Sequence, residues 1–459
     1  EKNPSDQTFG WGVVFSDETL GNLLEADPPT AKQITSSFAH WDDIHIRIDG
    51  KALRSTGHGF SGVSRMAFLR ILQARAAELG VKFDFNREVK SEDELRGYDL
   101  VLAADGVRSG LRAMHPDVFR TELGNRALGK VDLTQYELAS EISFMFADSA
   151  PDAQLLADAQ QGKLTDPAVV RGHAERLLNG PAGREVLKAF FFDFLHLREL
   201  AGGALDPSQQ ALVPSMQAET AGFVEHVIFD QNGGLDTLLT STASSVDQPL
   251  AAFYGVTAGA QVDTKRPGIL HQAAFLNARR DATRRGLFTA GELLCSPPSP
   301  PPPDAIAKAS TLMFDEDATG REVQETIQSA GPVCKACHST FAPMGLAFEH
   351  YDKLGKYREQ QDGKNLDVTG TFLANGDLTG GFTDSVDMVQ KILASNQGQL
   401  CFSKRFISYL EGRNAHGVLD GCLITKARAE LAANQFSLLK VMLELTSDPS
   451  FFERVNLEN

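Results

Sequence analysis

Two cysteines separated by two residues and followed directly by a histidine, Cys334-Lys335-Ala336-Cys337-His338, constrain this chain more than any other feature. Two thiols at this spacing can each add across a vinyl group of one flat macrocycle, and the adjacent imidazole can then ligate the iron from below. Cys-x-x-Cys-His is the attachment signature for c-type haem. Two other chemistries use the same residue types. A redox dithiol needs a βαβ context, which the flanking sequence does not show. A zinc site needs four ligands, and Cys401 and Cys422 could complete a set of four thiolates with Cys334 and Cys337.

Met344, Met388 and His271 are candidates for a sixth iron ligand, since a thioether or a second imidazole would give a six-coordinate electron-transfer haem. Methionine in a helical stripe is more often core, which weighs against Met388. Cys401 and Cys422 could instead form a disulfide in an oxidising compartment, or stay as buried thiols, and Cys295 is left over. All five cysteines lie from position 295 onward, while both tryptophans, Trp11 and Trp41, sit near the start. That distribution suggests two parts with different histories.

The stretch before the motif is helical in pattern. Thr134-Gln135-Tyr136-Glu137 fits a capping box ahead of Leu138, Ile142, Met145 and Phe146. Asp166-Pro167 opens a second helix and Gly180-Pro181 a third, which carries Phe190, Phe191 and Phe194. A fourth runs from Leu212 through Ile228 to the break at Asn232-Gly233-Gly234. His173, His196 and His226 stand alone on these helices and read as structural residues, because nothing pairs with them at ligand spacing. The prolines from 297 to 303 predict a stiff polyproline II spacer. Beyond the motif, 367–372 and the Asn375-Gly376 turn predict a small β-hairpin, followed by helices through Val386–Leu393 and Phe402–Leu410. The net charge of −16 opposes nucleic-acid binding, and no apolar run is long enough to span a bilayer.

The first 118 residues read as α/β. Arg65 precedes a helix through Leu72 that stops at Gly80, 81–85 alternates like a strand, and a buried-strand run from Asp99 ends at Asp105-Gly106. The segments Phe9-Gly10-Trp11-Gly12-Val13-Val14-Phe15-Ser16-Asp17, Gly57-His58-Gly59-Phe60 and Ala104-Asp105-Gly106-Val107-Arg108-Ser109 resemble the FAD-dependent aromatic-ring monooxygenases, in particular the hydroxylases of salicylyl-CoA or aminobenzoyl-CoA. The resemblance implies that Asp105 and Gly106 contact FAD and that Arg65 lies near it. The glycine-rich turn that such proteins place ahead of the position of Glu1 does not occur in this sequence, so a truncated fragment without competent flavin binding is expected.

Residues from about 131 to 455 resemble planctomycete and myxobacterial cytochrome c proteins built from consecutive domains of unknown function. The likeness rests on Leu293-Leu294-Cys295 followed by prolines, the Cys-x-x-Cys-His motif, Pro343-x-Gly345-x-Ala347-x-Glu349-x-x-Asp352, Tyr409-Leu410-Glu411-Gly412-Arg413 and Asp448-Pro449-Ser450-Phe451-Phe452. His350 departs from the asparagine usual at that place. The expected fold is mainly α: a truncated α/β FAD-binding fragment (1–118), an α-helical body (131–255), a short helical segment with a proline-rich linker (266–303), and a small helical haem domain with a β-hairpin (325–455). The expected function is extracytoplasmic electron transfer by haem c with an unidentified redox partner protein, periplasmic or at the cell surface. The alternatives are a cytoplasmic FAD monooxygenase and an extracellular scaffold held by zinc or disulfides.

Overall fold

The computed structural model describes residues 3–7, 12–16, 23–24, 26–41, 44–48, 51–55, 60–98, 101–102, 129–198, 200, 207–375, 377–415 and 420–456. The chain divides into two compact units, 1–120 and 121–459. The fold is mainly α with small antiparallel sheets.

In the first unit, Gly12–Ser16 and Ala39–Trp41 flank Phe60–Ser64 in a three-stranded antiparallel sheet, and Ile44–Ile48 pairs with Lys51–Ser55 as a hairpin. Ser64 caps the helix Arg65–Glu78 by accepting from the Ala67 amide, and Gly80 follows its end at φ 83°. Residues 81–85 are not the expected strand. They run as coil with Val81 and Phe83 exposed, and no described strand lies beside them to complete a ladder. Val101 and Leu102 are exposed coil as well, and the rest of the expected strand at 99–104 lies largely outside the described residues.

In the second unit the helix starts fall where their capping residues put them. Thr134 and Glu137 form a reciprocal capping box on Gln135–Ala147, and Asp166 caps Pro167–Leu178, whose first residue is proline. Pro181–Phe194 and Val213–Glu225 follow, and a π-turn at His226–Asp230 closes the latter before Gly233. Phe190 and Phe194 meet Phe402 edge-on, and Phe190 meets Phe406 in the same way. These rings tie the helical body to the helix Asn396–Leu410. One continuous apolar core therefore runs from Leu133 to Phe451, and it includes Phe341, Met344 and Phe348 around the Cys-x-x-Cys-His helix. Glu453–Asn456 pairs antiparallel with Gly129–Asp132. The hairpin Gly370–Asn375/Leu378–Phe382 forms as expected, although Gly376 in its turn lies outside the described residues. The proline run carries no regular structure until the helix Pro303–Ala309.

The expected pairing of Cys401 with Cys422 is corrected. Cys401, buried on the inner face of Asn396–Leu410, is bonded to Cys295 across 106 residues. Cys422 is a free thiol exposed on the helix Gly421–Ala433. Around the disulfide, Arg405 pairs with Glu292 at 2.9 Å, and the Gln397 side chain donates to the Leu294 carbonyl.

Candidate haem-attachment site

The motif lies on the helix Pro332–Leu346, which begins with proline, a residue suited to the first helical turn. Positions 334, 337, 338 and 341 follow the i, i+3, i+4, i+7 spacing of one face. Cys334 is buried and Cys337 half-buried, and both are free thiols. Burial, with Cys334 close by, pushes the Cys337 thiol pKa upward. The His338 ring packs against Phe341 at 4.9 Å, and burial lowers its pKa, favouring the neutral imidazole. Its Nδ1 lies 2.8 Å from Oε1 of Gln324, a buried residue of the helix Gly320–Ser329. Nε2 of Gln324 donates in turn to Thr283 Oγ1 at 2.7 Å.

Two glycines let the helix Ala282–Phe288 approach the motif helix closely. A Cβ at Gly345 would sit 1.7 Å from the Ala282 carbonyl oxygen, and one at Gly286 would sit 2.3 Å from that of Phe341. No side chain fits at either crossing point. The Gly345 of the family-like motif therefore has a packing reason.

The chain leaving the motif helix is held by a buried guanidinium. Arg285 donates to the carbonyls of Arg279, Phe348, Tyr351 and Asp352 at 2.6–3.0 Å. Burial pushes its pKa down to about 10. Arg266, also buried, donates to the carbonyls of His271 and Gly355 and stacks on Tyr254. Glu349 pairs with Arg358 at 3.0 Å, and Asp352 accepts from the amides of Leu354 and Lys356. These contacts account for the Glu349 and Asp352 of the motif that follows the haem signature. Beside them opens a cleft of about 830 Å³, lined by Thr283, Val323, Gln324 and Ile327 together with Arg284 and Arg358.

The candidate sixth ligands are core residues. Met344 and Met388 are buried, and Met344, six residues past His338, lies about 120° round the helix from it. His271 has both ring nitrogens engaged, Nδ1 with the Pro267 carbonyl and Nε2 with Ser385 Oγ at 2.8 Å, and burial drives its pKa down to about 4. Met313, passed over in the sequence, is 88 % exposed. The four-thiolate zinc arrangement loses Cys401 to the disulfide. Among the described residues no group of three or more His, Cys, Asp or Glu is placed to hold a metal ion. The lone histidines are accounted for structurally: His173 meets Asp158 at 3.0 Å and His226 meets Asp230 at 3.1 Å, while His196 lies 3.9 Å from Glu292. In the first unit, Arg65 is exposed at the start of its helix, and Asp105 and Gly106 lie outside the described residues. Gln324 and Thr283 were not anticipated. The available signal was a glutamine placed on the inward side of a helix whose start the Thr319–Glu322 capping box announces.

A family model described as PSD4, a protein of unknown function (DUF1592), matches residues 133–256. Another, PSCyt3, a protein of unknown function (DUF1588), matches residues 266–361, a span that contains Cys334, Cys337 and His338. A salicyloyl-CoA 5-hydroxylase from a Streptomyces species is 42 % identical over 119 residues, which is 26 % of this chain and 23 % of that protein. A 3-hydroxy-4-methyl-anthranilyl-[aryl-carrier protein] 5-monooxygenase from Streptosporangium sibiricum is 27 % identical over 156 residues, 34 % of this chain and 43 % of that protein. The chain thus spans less than half the length of either curated relative. No solved structure matches. In its similarities the chain is a mosaic of monooxygenase-like and PSCyt-type sequence. Among the described residues, no helix is long and apolar enough to cross a membrane.

Proposed function

We propose that residues 121–459 carry a covalently attached c-type haem and transfer electrons in an oxidising, extracytoplasmic compartment. The observation that carries this reading is the donor set itself: two unpaired thiols and an imidazole within five residues of one helix. The residues fit the group. Cys334 and Cys337 would hold it through thioethers, and His338 would ligate the iron through Nε2, the nitrogen that Gln324 does not engage. When bound, the haem supplies reversible one-electron exchange at iron. The protein's part is to keep His338 neutral and oriented, and to hold the motif helix rigid through Gly286, Gly345 and Arg285. The disulfide Cys295–Cys401 supports the compartment, since such bonds persist where thiols are oxidised.

Expression alongside haem-attachment machinery should give a pyridine haemochrome spectrum and haem staining that survives denaturation. The double variant Cys334→Ala/Cys337→Ala should lose both. A colourless wild-type product would sink the proposal.

The likeness to salicyloyl-CoA 5-hydroxylase supports a second reading for the first unit, in which Arg65, Asp105 and Gly106 contact FAD. Flavin absorbance that co-purifies with the full chain and disappears on Asp105→Ala would support this reading, and a flavin-free chain would defeat it.

A further inference from the structure

We infer that Gln324 is a positioning residue that keeps the His338 proton on Nδ1, leaving Nε2 as a lone pair for iron. The inference rests on the haem reading for its purpose but on the protein's own contacts for its content. Neutral imidazole carries one proton, and the hydrogen bond made by one ring nitrogen decides which nitrogen holds it. Gln324 offers His338 an oxygen, Oε1, at 2.8 Å. An oxygen there can only accept, so Nδ1 must donate. With Oε1 facing the ring, the other end of the amide donates to Thr283 Oγ1 at 2.7 Å, so both ends of Gln324 are engaged. Gln324 is only 2 % exposed, so water does not compete for it. Thr283 and Gln324 stand on two different helices, Ala282–Phe288 and Gly320–Ser329, and both pack on the motif helix. Three helices thus converge on one proton.

A reversed amide would instead give its N–H to Nδ1, force the proton onto Nε2 and block the iron side. The chain Thr283–Gln324–His338 therefore acts as a tautomer selector, and it tunes the iron as well. An acceptor on Nδ1–H makes the imidazole a stronger electron donor, which favours the oxidised metal.

Two readouts test this on the full chain. In haem-free protein labelled with ¹⁵N-histidine, the His338 signals, identified by their loss in His338→Asn, should report the Nδ1–H form. Gln324→Leu should move the tautomer ratio about tenfold toward Nε2–H. Gln324→Glu, which keeps an acceptor, should restore Nδ1–H, and Thr283→Val should fall between. In haem-loaded protein, Gln324→Leu should shift the reduction equilibrium about tenfold toward the reduced form, equivalent to ~59 mV for one electron. Gln324→Glu should shift it the opposite way. A loss of packing alone would not give opposite signs for two variants at one position. Wild-type protein with its proton on Nε2, or a Leu variant with unchanged tautomer and potential, would overturn the inference. A chain that takes up no haem would defeat the haem reading, and the tautomer measurement would still decide the role of Gln324.

Discussion

The helices Arg65–Glu78 and Pro181–Phe194 are both fourteen residues long, yet the first buries none of its side chains and the second buries five, all of them Val, Leu or Phe. Among the described residues of the first unit, the buried apolar side chains are Ala31, Ile34 and Val63, while Val14, Leu24 and Leu72 remain exposed. The second unit has a core of Phe, Leu and Met that is continuous from Leu133 to Phe451. Helices of this length gain most of their stability from a buried face and little from propensity. The comparison teaches that the two units differ in what can hold them together.

The strongest way to break this comparison is to separate the units. Residues 121–459 alone should unfold in one cooperative thermal transition, and residues 1–120 alone should show none by circular dichroism. A sharp transition from the short fragment would refute the contrast. Next in size is the loss of a buried guanidinium. Arg285→Met leaves several carbonyls without partners and should cost on the order of 5 kcal/mol in urea denaturation. Arg87→Met, which removes an exposed pair with Asp84 in the first unit, should barely move the midpoint. Equal effects from the two would undo the argument.

Cys401→Ser opens a 106-residue loop and should destabilise the second unit by about 4 kcal/mol. Added dithiothreitol should reproduce that loss in the wild type and have no effect on the variant.

The smallest effect is the subtlest. Burial raises the pKa of Glu219 to about 7 from an ordinary value of 4.5, so its contribution is full below 4.5 and is lost as pH rises toward 7. Burial lowers His271 to about 4 from 6.5, so its contribution is full above 6.5 and is lost as pH falls toward 4. The two oppose each other across nearly the same window, each worth about 3 kcal/mol. Wild-type stability should therefore be nearly flat from pH 4.5 to 6.5. Glu219→Gln should fall off on acidification, and His271→Gln should fall off as pH rises. A steep wild-type profile would contradict this balance.

Much of the second unit was legible because its signals are local. Asp166-Pro167, Gly180-Pro181 and the Thr134–Glu137 box each act within one turn, and each helix starts where they stand. The Phe190–Phe194 face was readable as core because aromatic spacing is itself helical. What could not be read was anything joining distant positions. The partner of Cys401 lies 106 residues away, and spacing offers only the nearer Cys422, with two free thiols as an equal alternative. Gln324 and Thr283 touch His338 only because three helices cross. Arg285 carries no local signal of burial, because its carbonyl partners at Phe348 and Tyr351 lie more than 60 residues away. The strand expected at 81–85 failed for a related reason: alternation creates a strand only where a neighbour offers its edge.

The cysteines also set a problem of sorting. One pair, Cys295 and Cys401, has to be oxidised for the chain to close, whereas Cys334 and Cys337, a single helical turn apart, have to stay reduced to bond anything else. An oxidant strong enough to join the distant pair would also join the adjacent one. If Cys334 and Cys337 take up haem as proposed, the cell that finishes this protein needs a reductant working on that pair alongside the oxidant that joins the other.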